Sequence, residues 1–244
     1  MSTTCVITIN ETLFNNGSIM LCRAVRTDNN TSVLVKIAPE QSVENAAELL
    51  DREKATIDSL ACGGIIKALE VIRYNRNPAL VLEDFPGRPL ALSNRLGRLD
   101  TAGFLLLALR LAEILAGIHE QHIIHRNISP WAIFVSDELP GAGNGSMAAI
   151  TGFDRASGIS AMAETGSSPG HHPLQWLPYI SPEMTGKVNR APDRRSDLYS
   201  LGAVLYEAAT GEPPFKGNNS TDIIYAHLTV NPPPPRRLNR EIPP

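Results

Sequence analysis

The sequence predicts an α+β fold in two parts, a strand-rich residues 1–86 followed by a mostly helical residues 87–244. Three observations predict it. Short β-branched runs separated by turn residues fill the first part of the chain. One helical stretch interrupts them before two further strand-like runs complete a five-stranded antiparallel sheet. From about residue 100 the apolar spacing becomes that of long helices.

The first three strands are justified by alternation and by turn chemistry. Cys5-Val6-Ile7-Thr8-Ile9 alternates, Asn15-Asn16-Gly17-Ser18 is a turn signal, and Ile19 to Ala24 resumes a strand. Asp28-Asn29-Asn30 makes the next turn before Ser32-Val33-Leu34-Val35-Lys36-Ile37. Residues 42–60 carry Leu49, Leu50, Ile57 and Leu60 at helical spacing. The runs Ile65–Ile72 and Ala79–Phe85 then flank the turn Asn75-Arg76-Asn77-Pro78. Pro86-Gly87-Arg88-Pro89 punctuates the passage to the helical part. Asp100-Thr101 caps a helix expected to run to Gln121, apolar on several sides as for a helix inside a lobe. Two more helices are expected at 197–210, stopped by Gly211-Glu212-Pro213-Pro214, and at 221–228. Asn231-Pro232-Pro233-Pro234-Pro235 reads as polyproline-like.

Composition removes several function classes. With 244 residues and 43% hydrophobic content, the chain can bury a sizeable core. A formal net charge of −3 gives no electrostatic case for nucleic acid, and Arg194-Arg195 and Arg236-Arg237 read as solvated surface charge. Cys5, Cys22 and Cys62 cannot all pair and follow no metal spacing, which suits a reducing cytoplasm. The N-terminus lacks the pattern of a signal peptide. Phe104–Ile118, the most apolar segment, is interrupted by Arg110 and Glu113 and is too short to span a bilayer, so no membrane insertion is expected. The glycines of Asp137–Ser146 mark a hairpin tip, and adjacent His171-His172 without a third ligand do not make a metal site.

The segment Ile123-Ile124-His125-Arg126-Asn127-Ile128-Ser129-Pro130-Trp131-Ala132-Ile133-Phe134 resembles the catalytic loop of eukaryotic-type serine/threonine protein kinases. Val33-Leu34-Val35-Lys36 is similar to that family's third strand, Gly152-Phe153-Asp154 to its metal-binding triplet, and Ser181-Pro182-Glu183 to its A-P-E motif. The run from Ser181 to Gly202 most resembles the kinase-like domain at the N-terminus of large bacterial multidomain signalling proteins, ahead of ATPase and sensor modules. The resemblance implies a bilobal, protein-kinase-like fold, with an N-lobe at 1–86 and a C-lobe at 87–244. It implies a nucleotide site with Lys36 on the phosphates, Glu53 pairing with Lys36, Leu82 as gatekeeper, and the backbones of Glu83 and Phe85 facing adenine. His125, Arg126, Phe153, Glu183 and Asp197 fall on supporting positions, Asp197 holding the catalytic-loop backbone. Two helices, one bringing an arginine to Glu183, are expected beyond Pro244, so the C-lobe is expected to be incomplete.

The departures bear on the chemistry. Where the resemblance expects a catalytic Asp, a metal-binding Asn and a metal-binding Asp stand Asn127, Ala132 and Gly152. Asn127 has no basic lone pair at neutral pH, and Ala132 and Gly152 have no side-chain oxygen. The places of the phosphate-loop glycines fall on Phe14, Asn16 and Ile19, and that of a substrate-contacting Thr on Trp176. Asp154 is the one carboxylate available for rescue. Were 152–154 extended, it would lie about 7 Å along the strand from the vacated place. The expectation is a catalytically impaired, cytoplasmic pseudokinase with weak ATP binding at most and no magnesium, serving protein partners or adjacent signalling domains. The alternative is an active atypical kinase using Asp154.

Overall fold

The first strands, rich in β-branched and aliphatic residues, pair into a five-stranded antiparallel sheet in the computed structural model, which describes residues 7–41, 44–136, 147–158 and 174–243. The strands are β1 (Ile7–Asn15), β2 (Met20–Arg26), β3 (Ser32–Ile37), β4 (Ala68–Tyr74) and β5 (Asn77–Glu83), in the order β1-β2-β3-β5-β4. Cys5, the Asp137–Ser146 tip and His171-His172 lie outside the described residues.

Turn chemistry sets the registers. Asn16 Oδ1 accepts from the backbone N–H groups of Ser18 and Ile19 at 3.0 and 2.7 Å, closing the β1–β2 turn. Asn75 and Arg76 both take positive φ, 48° and 70°, as a two-residue hairpin requires. On β3, Val33, Val35 and Ile37 fill a small outer cluster, so Leu34 and Lys36 face inward. β1 slips register between Thr12 and Phe14, and both Leu13 and Phe14 are buried in consequence.

Helix α1 (Ala46–Ser59) lays Ala46, Leu50, Glu53 and Ile57 against the inner face of the sheet. A glutamate thus sits on an otherwise apolar stripe. After the short strand β6 (Gly87–Pro89) comes α2 (Thr101–Glu120), with Asp100 Oδ1 accepting from Gly103 N–H at 2.7 Å. At 20 residues α2 is longer than the apolar segment Phe104–Ile118 and is long and apolar enough to cross a membrane by length and composition. Its Leu107, Leu111, Ile114, Leu115 and Ile118 are nevertheless buried in the protein's own core. The chain continues through β7 (Ile123–Ile124), β8 (Ile133–Ser136), β9 (Ala148–Ile150) and β10 (Ser157–Gly158). Helix α3 (Arg194–Thr210) starts three residues earlier than the sequence pattern suggests, because Asp193 and Ser196 form a reciprocal cap. Helix α4 (Ser220–Thr229) is followed by the proline run, whose last member, Pro235, opens a short helix α5 (Pro235–Leu238).

Leu34, Leu82, Phe85, Leu111, Phe134, Phe153 and Leu201 belong to one contiguous core. The sheet with α1 and the helices beyond it therefore share their buried interior. The cleft lies where α1, β3, the 123–134 loop and residues 151–155 converge.

Candidate functional site

Lys36 projects from the inner face of β3, and its Nζ donates to Glu53 Oε2 and to Asp154 Oδ1, each at 2.7 Å. All three are almost wholly withdrawn from solvent. Burial alone would lower the Lys36 ammonium, but Asp154 and Glu53 together hold it above the usual lysine range. Burial pushes the Glu53 carboxyl up in spite of Lys36. Asp154 feels the same burial, yet the charge and hydrogen bond of Lys36, aided by Arg155, hold it below the usual carboxylate range. One buried cation therefore serves two carboxylates, and Asp154 is the one held ionised.

The expectation that 152–154 run extended is corrected by the backbone. Gly152 takes φ 84° and ψ 48°, and Phe153–Arg155 form one turn of 3₁₀ helix. That conformation is open to glycine and strained for other residues. It swings Asp154 into the cleft rather than leaving it displaced along a strand, and it buries Phe153 edge-on to His125 with ring centroids 4.5 Å apart.

The 123–134 loop is held from below. Asp197, fully buried at the first turn of α3, accepts from the backbone N–H groups of His125 (2.8 Å) and Arg126 (2.7 Å), and pairs with His119 Nε2 at 2.9 Å. A buried carboxylate needs such donors. Arg126 takes φ 61°, an uncommon conformation for this residue type that those bonds lock in place. His125 Nδ1 accepts from Asn127 N–H at 3.2 Å, so its Nε2 carries the proton and donates to Thr151 C=O at 3.1 Å. Burial holds this ring below the usual histidine range, and it is neutral. Asn127 turns its amide nitrogen toward Gly152 C=O (3.3 Å) and Asp154 Oδ1 (3.4 Å), acting as a donor. Ala132 faces the same space with a methyl group. Glu183 finds the Ser196 hydroxyl, a neutral donor on the cap of α3.

Leu82 and Phe85 are placed elsewhere. Leu82 pairs in register with Leu34, both fully buried, and Phe85 packs edge-on to Phe134 with centroids 6.1 Å apart. The Phe85 N–H donates to Asp84 Oδ1 at 2.9 Å, and its carbonyl accepts from Arg23 Nη2 at 3.1 Å. Arg23 Nη2 also reaches Gly87 C=O at 2.5 Å, and its Nε donates to Asp84 at 3.1 Å. Arg23 thus straps β2 to the chain between β5 and β6. Glu83 is exposed, its N–H committed to Lys67 C=O at 2.9 Å.

A cavity of about 340 Å³ opens on the Lys36 side, lined by Lys36, Asn127, Ala132, Gly152 and Asp154 but not by Leu82, Glu83 or Phe85. Its outer wall is aromatic. Phe14 lies tilted on Trp131 and on Trp176, centroids 5.1 and 5.2 Å apart, and Trp176 Nε1 donates to Ser129 Oγ at 2.9 Å. Sequence reasoning singled out Phe14 and Trp176 separately, as large residues in the places of small ones. It missed Trp131, Arg23 and Arg155, for which no local pattern gave a signal.

Comparison with known proteins agrees with this geometry. A family model described as the protein kinase domain matches residues 15–237. A probable serine/threonine-protein kinase of Clostridium perfringens, CPE1738, is 30% identical over 88% of this chain and 30% of its own. The DNA damage-responsive serine/threonine-protein kinase RqkA of Deinococcus radiodurans is 28% identical over 95% of this chain and 34% of its own. The serine/threonine-protein kinase PknB of Mycobacterium tuberculosis is 38% identical over 48% of this chain and 17% of its own. The chain thus spans about a third or less of the length of these curated relatives.

Proposed function

The chain belongs to the protein kinase family, and from that premise we propose a serine/threonine-type signalling module that works by binding partners and not by transferring phosphate. One observation carries the reading. Among the described residues Asp154 is the only carboxylate lining the cavity, and it is already bound by Lys36 at 2.7 Å, while an amide, a methyl and a hydrogen stand at residues 127, 132 and 152.

Magnesium–ATP fits these residues poorly. Positions 132 and 152 offer no side-chain oxygen to a hard cation. The Phe85 backbone groups that the family resemblance assigns to adenine are engaged by Asp84 and Arg23, and Leu34, Leu82 and Phe134 are fully buried among themselves. A positioned base contributes about 10²- to 10⁴-fold to rate, and phosphoryl transfer otherwise depends on positioning and metal electrostatics. Losing both leaves little for the fold to catalyse with. The Phe14–Trp131–Trp176 contact stands where an acceptor peptide would have to approach. What remains is a bilobal scaffold suited to protein partners or to adjacent domains of a longer signalling chain.

A second reading has one observation in its favour: Asp154 does enter the cleft beside Lys36, so an atypical kinase would have one acidic group to work with. Thermal-shift titration with ATP, with and without Mg²⁺ or Mn²⁺, run beside a labelled γ-phosphate transfer assay, separates the two. The non-catalytic reading expects no metal-dependent stabilisation and no incorporated label. Metal-dependent stabilisation with incorporation that is lost in Asp154→Asn, a variant that keeps the Lys36–Glu53 pair, establishes the atypical kinase instead.

A further inference from the structure

We propose that the cavity beside Lys36 is a binding site for a small aromatic carboxylate, taken up without metal or nucleotide. The proposal rests on the non-catalytic reading and names a ligand class for the same cleft.

The cavity has the right size for such a molecule. A void of about 150 Å³ with apolar walls accepts benzene, so about 340 Å³ holds one or two fused rings with a short substituent. Its walls select flat apolar bodies. Phe14, Trp131 and Trp176 form a tilted aromatic set, with interplanar angles of 52° and 56°, and Ile19, Leu21 and Leu49 also line the cavity. Rings packed on such a set gain from offset and edge contacts. Ala132 and Gly152 leave the floor open. A Cβ on Gly152 would come no nearer than 3.4 Å to any neighbour.

The charge of the ligand follows from which polar groups are already committed. Lys36 is shared by Glu53 and Asp154, and Asp154 Oδ1 also takes the Asn127 amide. Arg155 also lines the cavity. Arg155 is half-buried and its charge acts on Asp154, but among the described residues it closes no ion pair of its own. Burial first, and then the Arg155 charge, hold Arg126 below the usual arginine range. The planar fork of an arginine binds a carboxylate through two parallel hydrogen bonds. A single negative charge suits the site better than a triphosphate. Asp154, held ionised, would repel the additional charges, and positions 132 and 152 supply no side-chain oxygen for a cation that would offset them.

The experiment uses the wild-type protein and three probes of one shape: indole-3-acetate, neutral indole and tryptamine. Binding is followed by calorimetry, with ATP plus Mg²⁺ as a fourth arm. Indole-3-acetate is expected to bind tightest, Arg155→Gln to weaken it about tenfold, as loss of one charge-assisted pair implies, and to leave indole unchanged. Ala132→Leu, which fills the floor, is expected to abolish both. Tryptamine or indole binding as well as indole-3-acetate in the wild type overturns the proposal without recourse to any variant. So does full indole-3-acetate affinity in Arg155→Gln. If γ-phosphate is transferred from ATP plus Mg²⁺, the non-catalytic reading fails and takes the proposal's premise with it, whatever the probes show. If ATP and indole-3-acetate are both silent, the site fails and the reading stands.

Discussion

At the scale of single residues, the cleft is governed by an imbalance: one ammonium and two carboxylates withdrawn from water, with a half-buried amide donor beside them. Removing the ammonium exposes that imbalance. Lys36→Met leaves Glu53 and Asp154 buried without a cation, a situation that costs about 3–5 kcal/mol. The pH dependence has a definite sign. Carboxyls whose folded-state pKa is raised contribute stability at low pH and lose it as pH rises through that value. Both carboxyls of the variant are in that position, whereas wild-type Asp154 is held low and loses its contribution on acidification. The gap between variant and wild type in urea unfolding should therefore narrow from pH 7.5 toward pH 5. A constant or widening gap would show that the pair does not carry the strain assigned to it. Asn127 offers the reciprocal test. Asn127→Asp replaces a donor 3.4 Å from Asp154 Oδ1 with a second anion. It should lower stability by about 1–3 kcal/mol, roughly 2–12 °C in Tm for a domain of this size, with no phosphate transfer gained. A stabilised or active variant would mean that the site was waiting only for that carboxylate.

At the scale of elements, the strands and helices were legible in the sequence because β-branched runs, asparagine turns and capping residues are local signals. The proximity of Lys36 and Glu53 was legible too, since a strand and the next helix bring inward positions together. What sequence could not supply were contacts made through backbone conformations and remote partners. The turn at Gly152 overrode the assumption of an extended strand and moved Asp154 by redirecting the chain. Arg23 meets Asp84, Phe85 and Gly87 across strands, and nothing in the neighbourhood of Arg23 announces it. His227 on α4 is a further case. Its Nε2 donates to Leu177 C=O and its Nδ1 accepts from Tyr199 OH, each at 2.7 Å, so it tethers α4 and α3 to the turn preceding Ser181. Burial holds it below the usual histidine range, as it does His125. A depressed histidine contributes stability that is lost as pH falls below the unfolded value of about 6.5. His227→Gln keeps a donor and an acceptor while removing the titration. The decline in unfolding free energy from urea titrations between pH 6.5 and 5 should become shallower by up to about 1.4 kcal/mol per pH unit. An unchanged slope would assign the acid sensitivity to other groups.

At the scale of the whole molecule, the sheet with α1 and the helices beyond it share one buried interior. Leu34 and Leu82 from the sheet lie in the same core as Phe134 and Leu111 from beyond it. Arg23 ties β2 to Phe85, and Phe14 of β1 packs on Trp131 and Trp176 from beyond the sheet. This packing makes a mechanical prediction. Phe14 is 8% exposed, and truncating a buried phenylalanine costs about 3 kcal/mol or more. Phe14→Ala should lower Tm by roughly 6–12 °C for a domain of this size. It should also speed proteolysis near the β1–β2 turn while leaving a single cooperative unfolding transition, since the shared core remains. Calorimetry decides the matter: two resolved transitions in the variant would mean that the aromatic contact alone coupled the lobes, and that the common core does not bind them into one unit.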